Sequence, residues 1–122
     1  MKKAIVLVLA LALTDCAGLQ TVYKVATETT VSASTVVVAA NAFDAIEGTA
    51  TQYLNYCRGN LSVPACSADN RRTVIRAVRS GRAARNKLET YIAGGTPAPS
   101  VVYNVLITSI NTLQTSAIGA QK

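Results

Sequence analysis

The stretch CRGNLSVPAC, residues 57–66, decides how this chain folds. Its two cysteines enclose Gly59 and Pro64, residue types that favour turns and interrupt helices. The spacing predicts a disulfide between Cys57 and Cys66 that closes a short loop between two helices. An intramolecular disulfide implies an oxidising compartment, and the alternative is a pair of buried thiols in a reducing one.

Upstream of this loop, apolar residues recur every three or four positions, which is the period of one helix face. They are Ala33, Val36, Ala40, Phe43, Ile46, Ala50, Tyr53, Leu54 and Cys57. We therefore predict a first helix over residues 29–57. Residues 36–38 are three valines, which are typical of a strand. The helical period continues on both sides of them, so we expect helix there.

Downstream of the loop, Ser67 and Asp69 are favourable at a helix start, and Gly94 with Gly95 marks a helix end. A second helix is predicted over residues 68–93. Its inner face consists of Val74, Ala77, Val78, Gly81, Ala84, Leu88 and Ile92.

A third helix is predicted over residues 98–117. Its inner face is assigned to Val102, Val105, Leu106, Ser109, Ile110, Leu113 and Ala117. Its other face is polar but uncharged, which suits close helix contact or self-association. Residues 29–122 should thus form an all-α domain, a small antiparallel three-helix bundle with one interhelical disulfide loop.

The formal net charge of +6 is concentrated in the second helix. Seven basic residues occur there with no intervening acid: Arg71, Arg72, Arg76, Arg79, Arg82, Arg85 and Lys87. The first five form a candidate anion-binding face for anionic lipid or an acidic protein. The alternative is a solvated face without a partner. Nucleic acid is disfavoured, because no aromatic residues are interleaved for base stacking.

The chain carries no recognisable catalytic or metal-binding motif. It has no His and no second close pair of cysteines, so a zinc site lacks ligands, and no cofactor is expected. Asp44 and Glu47 share one helix face, and a salt link to the arginines is a better interpretation than acid/base catalysis. We predict a non-enzymatic protein.

The start of the chain contains Lys2 and Lys3, an apolar run over residues 4–13, and Leu13 three positions before Cys16. This segment resembles the signal of small bacterial or bacteriophage-encoded lipoproteins, in which lipid is attached to the cysteine after cleavage. Asp15 departs from that pattern, which has a small residue there. The resemblance implies a signal peptide at 1–15, lipidation of Cys16 and a tether at 16–28. Cleavage after Ala12 and a retained apolar helix are the alternatives.

If Cys16 is lipidated, Ala17 follows it in place of the Asp that retains such lipoproteins in the inner membrane. The resemblance then implies a protein anchored to the outer membrane through its lipid and facing the periplasm. There it would act as a binding or structural module. The alternative is a bacteriophage structural or accessory protein in the virion, which keeps the N-terminal apolar helix.

Overall fold

Three helices form most of the chain in the computed structural model, which describes residues 26–118. Helix α1 spans Ala33–Arg58, α2 spans Ala68–Gly94 and α3 spans Ser100–Leu113, continuing as a π-helical turn over Gln114–Ile118. A 3₁₀ turn over Pro64–Cys66 lies between α1 and α2. The predicted all-α bundle is therefore confirmed for these residues. The predicted signal segment and most of the tether lie outside them.

Local capping interactions fix the ends of the helices. Ser32 Oγ accepts a hydrogen bond from Thr35 N at 3.4 Å at the start of α1. Ser67 Oγ accepts from Asn70 N at 3.2 Å at the start of α2, as the sequence predicts. Helix α2 ends at Gly95, whose φ of 64° is a left-handed conformation that suits glycine.

The first and third helices begin later than predicted. Strands β1 (Thr30–Val31) and β2 (Ala98–Pro99) pair antiparallel, with Thr30 opposite Pro99 and Val31 opposite Ala98. This short ladder occupies residues that the periodicity assigns to helix. Helix α1 therefore starts after the Ser32 cap rather than at residue 29, and α3 starts at Ser100 rather than at residue 98.

Consecutive helices run in opposite directions, as shown by the pairs of residues in contact. Cys57 is bonded to Cys66, with the Cα atoms 5.3 Å apart, while earlier positions of α1 pair with later positions of α2, such as Asp44 with Arg85. Asn70 near the start of α2 contacts the carbonyl of Ser116 beyond the end of α3. The predicted disulfide is confirmed, and it closes the connection between α1 and α2.

The core lies between the three helices, and the predicted inner faces of α1 and α2 largely form it. Phe43 and Leu88 are fully buried, and so are Val36, Ala50 and Val74. The predicted inner face of α3 is largely confirmed, since Leu106, Ser109, Ile110, Leu113 and Ala117 are all buried. Its buried residues are Ser100, Tyr103, Leu106, Ile107, Ser109, Ile110 and Leu113. Val105 was wrongly assigned to the interior, because its side chain is 44% exposed.

Gly81 allows α1 and α2 to approach closely at the centre of the bundle. A Cβ atom placed on Gly81 would overlap the ring of Phe43, which is fully buried. Glycine in the middle of a helix costs about 1 kcal/mol relative to alanine. Its presence here is explained by the space that the Phe43 ring requires.

Candidate anion-binding surface

The basic residues of α2 divide into two groups that point in different directions. Successive residues turn by about 100°, so Arg72, Arg76 and Arg79 share the outer side of α2, with Arg76 at the edge of the groove between α2 and α3. Arg82 and Arg85 lie further round, at the seam with α1. Arg82 belongs to the predicted anion-binding face and Arg85 does not, so the residues predicted as that face do not share a single environment.

Arg85 and Arg82 form the salt links with α1 that the sequence predicts for Asp44 and Glu47. The Arg85 guanidinium lies 2.7 Å from Asp44 Oδ1 and 2.9 Å from Asp44 Oδ2, and 3.4 Å from Glu89. Hydrogen bonding to Asp44 raises the pKa of Arg85 above its ordinary value, while burial opposes the shift. Arg82 Nε donates to Glu47 Oε1 at 2.8 Å. These pairs link α1 to α2 across the seam.

Arg71 is bonded to the loop that connects α1 and α2. Its Nε donates to the carbonyl oxygen of Cys66 at 3.1 Å, and its side chain is partly buried. The guanidinium is thereby fixed beside the disulfide loop. Its NH1 and NH2 groups make no hydrogen bond to the described residues, so they are available to an anion.

Arg72, Arg76 and Arg79 are the exposed part of the predicted face. Arg72 lies 3.8 Å from Asp69, and both side chains are largely in solvent, so this pair contributes little to stability. Over residues 26–118, no carboxylate lies within salt-bridge distance of Arg76 or Arg79. Three adjacent guanidinium groups on one helix face are suited to recognise phosphates or carboxylates.

A groove at the disulfide end of the α1–α2 seam was not predicted from the sequence. It has a volume of about 370 Å³ and is lined by Leu54, Arg58, Leu61, Arg71 and Ile75. Leu61 is 60% exposed and Ile75 is 36% exposed. The sequence feature that could have indicated this groove is Ile75. Arg71, Arg72 and Arg79 lie three or four residues from it along the helix. An apolar residue among arginines on the outer face of a helix is a departure from simple amphipathic patterning.

A second groove lies between α2 and α3, with a volume of about 470 Å³. Five of its ten lining residues carry a hydroxyl group. Thr73 Oγ1, Ser109 Oγ and Thr112 Oγ1 donate to carbonyl oxygens of their own helices, at 3.0, 2.9 and 2.9 Å. Arg76 lies at its edge. These three hydroxyls are therefore used within their own helices.

Residues 26–118 contain no cluster of three His, Cys, Asp or Glu residues that could hold a metal ion. Among the same residues, no helix has both the length and the apolar character needed to cross a membrane. Cys16, the predicted lipidation site, lies outside them.

Comparison with known proteins finds no family model, curated protein or solved structure that matches this chain.

Proposed function

We propose that the protein is a lipid-anchored module of the bacterial cell envelope that acts by binding rather than catalysis. The Cys57–Cys66 disulfide carries this proposal, because intramolecular disulfides persist in the periplasm and are rare in the cytosol. Pairing of these two cysteines leaves Cys16 as the odd thiol, which is the residue that lipidation requires. Ala17 after it favours the outer membrane, with the domain facing the periplasm.

The binding partner in this proposal is anionic. Arg72, Arg76 and Arg79 are exposed side by side, and the free edge of Arg71 extends the positive surface towards the disulfide loop. Such a surface attracts anionic lipid or an acidic protein, and the attraction is screened beyond about 8 Å at physiological salt. Association should therefore be sensitive to salt.

A structural protein of a bacteriophage particle is the second candidate. Helix α3 supports it, because no charged residue occurs between Ser100 and Leu113, and Val101 and Val105 are 76% and 44% exposed. An uncharged, partly apolar outer face favours contact between copies of the chain. Fractionation distinguishes the candidates: an envelope protein is found with the outer membrane, and a virion protein with assembled particles.

The oxidation state of the cysteines in cells tests the envelope assignment. Acid quenching followed by alkylation should find Cys57 and Cys66 protected until a reductant is added. A strain without periplasmic disulfide oxidase is the matched control, and in it both thiols should be alkylated. Free Cys57 and Cys66 thiols in the normal strain would contradict export.

Replacing Arg72, Arg76 and Arg79 together with Gln tests the anionic partner. The side chains point away from the core, so the thermal midpoint should remain within a few degrees of the parent value. Binding to anionic vesicles or to an acidic protein should weaken at low salt. A matched triple substitution of the exposed α2 residues Ala83, Asn86 and Thr90 to Gln leaves the charge unchanged and should leave binding intact. Unchanged binding in the arginine variant would indicate a solvated face without a partner.

A further inference from the structure

The disulfide end of the α1–α2 seam combines an exposed apolar tip with cationic edges. Leu61 is 60% exposed at the top of the loop, and Ile75 on α2 lies beside it in the same groove with partly buried Leu54. Arg58 from α1 and Arg71 from α2 line its edges. We call these five residues the apolar–basic corner.

The loop that presents Leu61 is held in one conformation by covalent and hydrogen bonds. Its ends are joined by the disulfide, and Asn60 N donates to Cys57 O at 3.2 Å while Val63 N donates to Asn60 O at 3.1 Å. The Asn60 side chain also donates to Tyr56 O at 2.8 Å. Leu61 is thus fixed outward, so its insertion into a partner would require little further ordering of the loop.

The charged residues that line the corner are both basic. Ile75 has Arg71, Arg72 and Arg79 as its neighbours on the helix surface, at spacings of three and four residues. Arg58 lies across the groove on α1, and no acidic residue lines the groove. An apolar group surrounded by cations complements a surface with an apolar interior and anionic groups at its boundary.

We propose that the apolar–basic corner docks on an anionic lipid bilayer, with Leu61 inserted at the level of the head groups. Two exposed apolar side chains are too few for the core of a protein interface, which buries about 800 Å² on each partner. A bilayer requires no shape complementarity, and modest apolar insertion combines with attraction between arginines and anionic head groups. The observations therefore favour a membrane as the partner.

The segment between Cys16 and Ala26 is long enough for a lipid on Cys16 and the apolar–basic corner to contact the same bilayer. The lipid on Cys16 is part of the proposed function, and this combined contact depends on it. The described chain starts at Ala26, whose backbone N–H donates to the Asn104 side chain at 2.8 Å. From Asn104 to Ser116, at the disulfide end, α3 and its π-helical turn rise by about 18 Å. The ten residues from Cys16 to Ala26 reach at most about 33 Å. One bilayer could therefore hold both the lipid and the corner.

Tryptophan fluorescence tests the insertion directly, because the chain contains no Trp. Leu61→Trp is made in the full-length, unacylated Cys16→Ser chain and mixed with phosphatidylglycerol–phosphatidylcholine vesicles. Its emission should shift to the blue, and pure phosphatidylcholine should produce a smaller shift. Val101→Trp, at a 76% exposed position on α3, is the matched control and should not shift. No shift for Leu61→Trp, or an equal shift for both variants, would overturn the proposal.

Matched charge variants test whether the corner or general positive charge is responsible. Leu61→Ser and Arg58→Gln should each weaken the partition coefficient on anionic vesicles about fivefold, a change typical of losing one side-chain contact at a bilayer. Val101→Ser and Lys87→Gln remove an apolar side chain and a positive charge at exposed positions elsewhere and should have effects below about twofold. Equal losses for Arg58→Gln and Lys87→Gln would reject the corner as the docking surface. An equal fluorescence shift with an acidic polypeptide would instead identify a protein partner.

The docking surface and the lipid anchor can fail independently of each other in these experiments. Acylated Cys16 with no preferential effect at Leu61 and Arg58 would overturn the inference and leave the anchor in place. Insertion of the corner in a chain whose Cys16 is never acylated in cells would overturn the proposed anchor and support the docking surface.

Discussion

The side-chain amide nitrogen of Asn70 lies 2.7 Å from the hydroxyl oxygen of Tyr53. The same amide also lies 3.0 Å from Ala65 O and 3.2 Å from Ser116 O, while the Tyr53 hydroxyl donates to Ala65 O. Asn70 therefore connects α1, the disulfide loop, α2 and the end of α3. Tyr53 is almost fully buried, so these bonds replace contacts with water.

Removing this network should destabilise the bundle by a measurable amount. Tyr53→Phe should lower the free energy of unfolding by about 1 kcal/mol, and Asn70→Ala by about 2 kcal/mol, because the first removes the hydroxyl's hydrogen bonds and the second removes the links to α1, the loop and α3 together. Urea denaturation of both single variants and the double variant measures the coupling. Asn86→Ala, at an exposed position of α2, is the control and should change stability by less than about 0.5 kcal/mol. Strict additivity of the first two changes would show that the two side chains do not act together.

Two glycine-to-alanine substitutions should have opposite effects. Gly81→Ala gains helix propensity but places a methyl group against the buried Phe43 ring, and we expect a net loss of about 1–3 kcal/mol. Gly48→Ala on α1 meets no atom within 4 Å and should stabilise the protein by up to about 1 kcal/mol. Thermal unfolding of both variants checks the pair. A stable Gly81→Ala variant would mean that the helices do not approach closely at Phe43.

The stability of the protein should fall at alkaline pH because of Tyr103. This side chain is 2% exposed, and burial raises its pKa above its ordinary value of about 10. The Tyr103 hydroxyl therefore loses its proton at lower pH in the unfolded chain than in the folded one. The free energy of unfolding is unaffected by this group below about pH 10, and it decreases as pH rises towards the folded-state pKa of Tyr103. Tyrosinate absorbance during a pH titration should include a late component that Tyr103→Phe removes. A titration unchanged by Tyr103→Phe would contradict this assignment.

The inner faces of α1 and α2 were predictable because apolar residues lie on one side of each helix and polar residues on the other. Helix α2 alternates arginines with Val74, Ala77, Gly81, Ala84 and Leu88, and this contrast defines its inner face. Helix α3 carries no charge, so only hydroxyl and amide side chains mark its outer face. With this weaker contrast, Val105, which is exposed, was assigned to the interior, and Ile107, which is buried, was not.

Other features depend on contacts between distant residues and leave no local signal. The pairing of residues 30–31 with residues 98–99 shortens two predicted helices. Asn70, in the first turn of α2, resembles an ordinary exposed polar residue, and only the positions of Tyr53 and Ser116 make it a link between helices. The disulfide and the salt links to Asp44 and Glu47 were predictable from spacing and charge. The apolar–basic corner was not, because Leu61 belongs to a loop with no periodicity.

Mass spectrometry of the protein extracted from bacterial membranes tests the proposed envelope function most directly. The mature chain should begin at Cys16, and this residue should carry a diacylglyceryl group. Cys16→Ser is the control and should abolish the lipid and the cleavage before residue 16. A chain that retains Met1 and carries an unmodified Cys16 would contradict the account.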